Sequence, residues 1–229
     1  MKATITIPEN LNEINLGQYQ HYLKVSKDLQ GDILTQRTVN VLCDVRLSDV
    51  MMMRLTDVRE VAEHLSTLFN MDQDLTPRFK IKSQEFGFIP SLEDISFGEY
   101  VDLDSYINDW ETMHQAMAVL FRPITRTIDN KYEIIDYQGT DEFSDLMRFM
   151  PLDVALGALV FFYRLGNELL KATRNYSLNQ MKELQKITAS KPSLINSGDG
   201  TTVSTHSLEE TLEVLTQLPK FELPKHLHI

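Results

Sequence analysis

The chain has 229 residues, of which 42 % are apolar and 24 % are charged, so it has the composition of a folded globular protein rather than a disordered one. Its 33 acidic and 22 basic residues give a net charge of −11, which argues against nucleic-acid binding. The single cysteine, Cys43, excludes an internal disulfide framework and a cysteine-rich zinc site.

Targeting and membrane signals are weak in this sequence. Residues 1–10 lack the apolar core of a signal peptide. The most apolar run, residues 154–163, is too short to cross a bilayer. We therefore expect a soluble protein that works inside a cell and binds neither membrane nor nucleic acid.

The first part of the chain is predicted to be mainly helical. Alternating apolar residues predict one strand at residues 3–7, and Asn15 is the expected N-cap of the first helix. Apolar residues at helical spacing predict the helices. These are expected at residues 16–29, 33–45, 48–53 and 56–69.

The middle of the chain carries two hairpin signals. Short aromatic and alternating segments predict a hairpin within residues 77–90. Two alternating runs flank Asp129 and Asn130, which predicts a second hairpin. A helix is expected at residues 106–120, with Asp104 as its cap, followed by one or two helical turns at residues 143–149.

The last predicted element of the core is an apolar helix that starts at Pro151, runs to about Thr173 and lies at the centre of the fold. Beyond it we expect a polar helix at 178–187, a flexible linker at 190–206 and a short helix at 207–218. The sequence thus predicts a mainly helical α+β fold with short β-hairpins and a central apolar helix. Its principal domain is residues 1–176, and residues 177–229 form a polar C-terminal segment.

One short pattern occurs twice. Residues 11–19 and 92–100 share Leu, Ile, Gly and Tyr at the same positions, and an Ile-Pro pair precedes both. One interpretation is two helix entries that are built alike. The alternative is an ordinary strand-to-helix connection that happens to occur twice, and two copies do not make a solenoid.

Residues 91–111 form an acidic segment that contains seven acids and no base. Aromatic side chains within it could supply interface area, and the acids could steer a partner. The sequence therefore predicts a protein-binding face. Its expected residues are Glu99, Tyr100, Asp102, Asp104, Tyr106, Asp109 and Trp110. A solvated acidic face and a Ca²⁺ or Mg²⁺ site are the alternatives, although EF-hand spacing fails because position twelve from Asp102 is Met113.

No other segment predicts chemistry. The six histidines are scattered, no nucleophile motif is present, and Cys43 is expected to be a small buried hydrophobe. We therefore predict no catalytic residue, no cofactor and no metal. Residues 51–53, three methionines, either fill the core or dock a partner helix. Residues 161–163, three large rings, are buried by the chain itself or by another chain.

Three blocks of sequence resemble a known group of proteins. They are LEDISFGEYVDLD at 92–104, MAVLFRPI at 117–124 and MPLDVALGALVFFYRLGNE at 150–168. Together they resemble structural or assembly proteins of tailed bacteriophages. The nearest type is the tail assembly chaperone, similar to baseplate-hub assembly proteins of T-even-type phages. The likeness covers roughly residues 85–172 and carries no catalytic signature.

The resemblance implies a non-enzymatic protein that helps to build a phage tail, baseplate or neck by binding other phage structural proteins. It implies a location in the host cytoplasm during assembly, with the finished virion as an alternative. A virion component, such as a head-to-tail ring subunit, is the second hypothesis, and a small metal-dependent enzyme is the third. Whether the protein forms a homo-oligomer stays open.

Overall fold

The computed structural model describes residues 5–92, 95–129 and 131–190. These residues fall into two compact units, the first reaching Val160 and the second starting at Phe161. The predicted linker and last helix lie beyond residue 190, outside the described residues. Within the described ranges, helices predominate over a single antiparallel sheet, which confirms the predicted mainly helical α+β class.

All four helices predicted in the first part of the chain are present. Asn15 caps the first one in a capping box, in which its Oδ1 accepts from the Gln18 backbone N–H at 2.8 Å. The strand predicted at 3–7 is not seen in its described part, because residues 5–8 have no regular structure and no described strand pairs with them. The helices are α1 (Leu16–Ser26), α2 (Gly31–Leu42), α3 (Leu47–Val50) and α4 (Leu55–Phe69).

The apolar face of α1 is fully buried. Leu16 and Tyr19 have no exposed surface, and the Tyr19 ring packs against Phe69 at 5.4 Å and edge-on against Trp110 at 5.0 Å between centroids. Offset and edge-on rings stabilise a core beyond the area that they bury. This aromatic cluster joins α1 to α4 and to the chain that precedes the sixth helix.

The sheet is a meander in which each strand pairs antiparallel with the next. Both predicted hairpins are confirmed. Lys82 and Asp129 lie at their turns with φ values of 54° and 51°, in the left-handed region that tight turns require. The strands are β1 (Arg78–Ile81), β2 (Gln84–Phe88), β3 (Phe121–Ile128) and β4 (Lys131–Ile134).

Tyr132 on β4 reaches back across the sheet. Its ring covers Gly87 on β2, where a Cβ atom would lie only 2.3 Å from the ring, so a larger residue here would displace Tyr132. Its hydroxyl donates to the Phe88 carbonyl at 2.7 Å, and the Arg78 guanidinium of β1 lies 4.5 Å from its ring centroid. One side chain therefore contacts both strands of the first hairpin.

Three further helices alternate with the strands along the chain. They are α5 (Phe97–Tyr106), α6 (Met113–Leu120) and α7 (Ser144–Met147). Of these, α5 and α6 lie between β2 and β3, and α7 follows β4. The prediction of one helix from 106 to 120 was wrong in its first half, because α5 ends where that helix was expected to start. Asp104 accordingly lies in the last turn of α5 and caps nothing that follows. A capping box of Ser96 and Glu99 starts α5 earlier than the sequence reading placed a helix.

The predicted central helix is confirmed and is longer than expected: α8 runs over Leu152–Ser190. Its first turns are buried, and its start is tied to α1 because Leu16 N–H donates to Met150 at 2.9 Å and Leu152 N–H donates to Ile14 at 2.9 Å. No glycine or proline interrupts residues 167–191, so nothing ends the helix near Thr173.

The boundary between the two compact units falls inside α8, between Val160 and Phe161. The predicted domain boundary, after residue 176, lies later in the chain. The predicted polar helix at 178–187 is helical, as part of α8 rather than as a separate element. Residues 161–163 are half-buried.

Candidate protein-binding site

The face of α5 that points into the protein carries charge. Glu99 is 5 % exposed, and its Oε1 lies 2.6 Å from Nη2 of Arg122 on β3, whose side chain is also about nine-tenths buried. The other Glu99 oxygen accepts from the Ser96 backbone N–H at 2.7 Å and completes the capping box. The same carboxylate thus starts the helix and fastens it to the sheet.

A hydrogen bond is the second contact on the inward face of α5. The Tyr137 hydroxyl, in the segment that follows β4, donates to the Asp102 carboxylate. Burial, and then the Asp102 carboxylate, raise the pKa of the Tyr137 hydroxyl, so it stays a donor at any physiological pH. The Arg122 guanidinium lies 5.6 Å from the centroid of the Tyr137 ring. Glu99, Asp102, Arg122 and Tyr137 form one charged network beneath α5.

The opposite face of α5 is apolar and faces solvent. Phe97 is 83 % exposed, Tyr100 57 % and Val101 42 %, and Asp104 is exposed beside them. Residues at i, i+3 and i+4 share one side of a helix, so the three apolar side chains form one patch. A helix at a protein surface normally buries its apolar side and exposes its charges. α5 buries Leu103 as expected, but it also buries Glu99 and exposes Phe97, Tyr100 and Val101. Such exposed apolar patches mark interaction sites.

The structure separates the seven residues predicted for the protein-binding face. Tyr100, Asp104 and Asp109 are exposed, and Asp102 and Tyr106 are half-buried. Glu99 was wrongly placed on this face, because its ion pair with Arg122 takes it into the interior. Trp110 is half-buried, and its ring packs edge-on against the buried Tyr19.

Sequence reasoning missed Phe97, the most exposed member of the patch. Two signals could have found it: the capping box at Ser96 and Glu99, and the repeated pattern that aligns Phe97 with Leu16 and Tyr100 with Tyr19. Both copies enter a helix through a capping box, which supports the interpretation of two entries built alike. The two helices differ in the exposure of the equivalent side chains: those of α1 are buried, and those of α5 face solvent.

The methionines at 51–53 form a second exposed apolar surface. Met52 is 87 % exposed and Met51 67 %, so core filling was the wrong interpretation for these two residues, whereas Met53 is half-buried. Met51 and Met53, together with Ile33 and Leu55, line a groove of about 300 Å³ between α2, α3 and α4. Flexible thioethers at a groove suit adaptable contacts.

The interior also holds a polar cluster around His114 on α6. Its Nε2 faces the Arg148 guanidinium at 2.9 Å and its Nδ1 faces the Gln20 amide at 3.1 Å. Burial first, and the Arg148 charge second, lower the pKa of His114, while Asp145 and the Glu111 carbonyl oppose this shift. The imidazole therefore belongs to the fold in its neutral form.

The cysteine, the possible metal ligands and the longest helices of the described ranges can also be placed. Cys43 is buried, and burial raises the pKa of its thiol to about 11, which leaves it unreactive at neutral pH. Across residues 5–92, 95–129 and 131–190, no three histidine, cysteine or acidic side chains lie close enough to share a metal ion. Of the helices in these ranges, none combines the length and apolar character needed to cross a bilayer.

Comparison with known proteins gives no relative: no model of a protein family, no curated protein and no solved structure matches this chain.

Proposed function

We propose that this protein is a non-enzymatic assembly protein of a tailed bacteriophage, a chaperone or adaptor for the tail or baseplate, that captures its partner on the outer face of α5. The observation that carries the proposal is the apolar patch on α5, where Phe97 and Tyr100 are exposed although Glu99 of the same helix is buried. The resemblance of residues 85–172 to phage assembly proteins supplies the class of partner.

The repeated pattern supports the docking role. In α1, Leu16 and Tyr19 occupy the same positions as Phe97 and Tyr100, and both are fully buried; Tyr19 packs against Phe69 and Trp110. In α5 the equivalent side chains have only solvent over most of their surface. Burying a large apolar side chain is worth about 1.5–3 kcal/mol, so a partner that covers both gains substantial binding free energy.

The test is affinity capture from infected cells with Phe97→Ser/Tyr100→Ser against the wild-type protein, with mass spectrometry of what is captured. We expect the variant to keep its melting temperature and to lose a phage tail or baseplate protein that wild type retains. The matched control is Phe149→Ser/Tyr176→Ser, because these residues are also exposed and of the same two types. Capture that is equal for all three proteins refutes the role of α5.

The acids beside the patch should act on the rate of association. Asp104→Asn/Asp109→Asn should slow capture at low salt and have little effect at high salt, because exposed charges steer an encounter and are screened. Asp102→Asn is unsuitable for this purpose since it also breaks the bond to Tyr137. Mass spectrometry of purified virions distinguishes the assembly chaperone from the virion component: a chaperone is absent from the particles, and a ring subunit is present.

A further inference from the structure

The groove of about 300 Å³ between α2, α3 and α4 is lined mainly by apolar side chains. Its lining combines the buried side chains of Val50 and Val58 with those of Ile33, Met51 and Leu55, each of which is more than half exposed. Apolar surface that is open to water gains free energy when another apolar group covers it. The groove is therefore suited to receive an apolar side chain.

Met52 is a protruding apolar side chain beside this groove. Its two neighbours in the chain, Met51 and Met53, line the groove, whereas Met52 itself does not. Its side chain is 87 % exposed, so it extends from the surface into solvent. An unbranched thioether adapts its shape to an irregular apolar site. One surface thus carries both a groove and, next to it, a side chain that can fill such a groove.

A surface with both features is complementary to a copy of itself. In an interface with two-fold symmetry the same patch occurs on both sides, so each contact between two different residues is made twice. Here the repeated contact is Met52 of one copy in the groove of the other. Methionine is also among the residues that are enriched at protein interfaces.

The charges around the groove allow two copies to approach each other. Residues 31–60 hold five acids and four bases, so this segment is almost neutral in a chain of net charge −11. Three of the five acids form ion pairs: Asp49 with Arg46 at 2.9 Å, Asp57 with Arg54 at 2.9 Å and Asp32 with Arg59 at 2.8 Å. By contrast, residues 91–111 carry seven acids and no base, and like charges that face each other repel. Of these two apolar surfaces, the groove suits a second copy and α5 suits a different protein.

We propose that this groove is the interface of a two-fold symmetric dimer of the protein, in which Met52 of each copy enters the groove of the other. The outer face of α5 takes no part in this contact, so the inference goes beyond the proposed function and does not rest on it. Two copies that each carry a charge of −11 repel at long range, and salt screens that repulsion. The dimer should therefore become tighter as the salt concentration rises, and a dimer that weakens with salt would contradict an apolar interface.

Sedimentation velocity of the full-length protein over a micromolar dilution series tests the dimer. We expect the wild-type protein to change from monomer to dimer with a dissociation constant in the micromolar range. Met52→Glu should stay monomeric where the wild-type protein is mainly dimeric, because it brings a charge into an apolar groove. The matched control is Met71→Glu, at a methionine that is 60 % exposed and does not line the groove, and it should dimerise like the wild-type protein. Circular dichroism checks that both variants fold.

A charge exchange tests whether Met52 pairs with the groove. Ile33→Lys alone should be monomeric, but its equimolar mixture with Met52→Glu should form a heterodimer, because one contact is intact and the other joins two introduced charges of opposite sign. A monomeric wild-type protein would leave the groove to a different protein and overturn the inference. A dimer that survives Met52→Glu, equal dissociation by Met71→Glu, or a mixture that stays monomeric would also overturn it. Phe97→Ser/Tyr100→Ser should still dimerise, and its dissociation would place the interface on α5 instead. Dimerisation and partner capture can therefore fail independently.

Discussion

The Glu99–Arg122 pair shows what a single buried charge contributes to this fold. Each side chain is about nine-tenths removed from solvent, so each charge relies on the other for stabilisation. Such a pair contributes little net stability compared with apolar residues of the same size, but its loss leaves a bare buried charge. Its role is therefore to fix where α5 lies.

We expect Glu99→Gln to lower the free energy of unfolding by about 3–5 kcal/mol, because it leaves the Arg122 guanidinium buried and unpaired. Glu99→Gln/Arg122→Met should recover most of this loss, which urea unfolding measures. The control is Asp32→Asn, which breaks the exposed pair with Arg59 and should cost less than about 1 kcal/mol. A double variant as unstable as the sum of its single variants would contradict this account.

His114 makes the stability of the folded protein depend on pH. Its folded-state pKa is lowered from 6.5, so folding favours the neutral imidazole. The unfolded chain then binds more protons in acid, and the contribution of His114 to stability is present above 6.5 and is lost as the pH falls below it. The groups around the ring are Arg148, Asp145, Gln20 and the Glu111 carbonyl.

The expected result is a urea midpoint that falls between pH of about 7.5 and about 5.5 for the wild-type protein and falls less for His114→Gln. His21→Gln, at an exposed position of α1, should keep the wild-type slope. A slope that rises toward acid, or one unaffected by His114→Gln, would contradict the neutral assignment.

At the scale of elements, two helical glycines should respond to substitution in opposite ways. A Cβ atom on Gly157 of α8 would lie 2.2 Å from the Asp74 carbonyl oxygen, which is backbone and cannot move aside easily. A Cβ atom on Gly98 of α5 would meet nothing within 4 Å. The first glycine allows close packing, and the second serves no such purpose in the free protein.

Gly157→Ala should therefore destabilise the protein even though alanine is the better helix former, whereas Gly98→Ala should stabilise it by about 0.5–1 kcal/mol. Thermal unfolding of both variants measures the two signs. Stabilisation by Gly157→Ala would mean that the segment around Asp74 yields to the new methyl group.

The elements themselves were largely predictable, and the polarity of α5 was not. Strong local signals, such as the Asn15 cap and the turn at Asp129, placed helices and hairpins correctly. The buried position of Glu99 depends on Arg122, which lies in a strand 23 positions later, and no local pattern contains that pairing. The acidic pattern predicted a partner-binding face that included Glu99, whereas the ion pair with Arg122 directs Glu99 into the interior.

At the scale of the whole molecule, backbone hydrogen bonds connect described segments that lie far apart in the sequence. Residues 14–17 bond to residues 148–152, so the starts of α1 and α8 form one junction. Contacts at such sequence separation form late and slow the folding of a domain. The isolated bridge between Asn15 and Pro151 belongs to this junction and could not be read from either segment alone.

Tyr132 has a consequence for how the sheet opens. Because its side chain touches Arg78, Gly87 and Phe88 from β4, the last strand cannot detach without releasing the first hairpin. Amide protons across the sheet should then report one common free energy of opening in hydrogen–deuterium exchange, as a single cooperative unit. Tyr132→Phe, which removes the bond to the Phe88 carbonyl, should speed exchange in β1 and β2 as much as in β4 and leave α1 unchanged. Faster exchange confined to β4 would show that the two hairpins open independently.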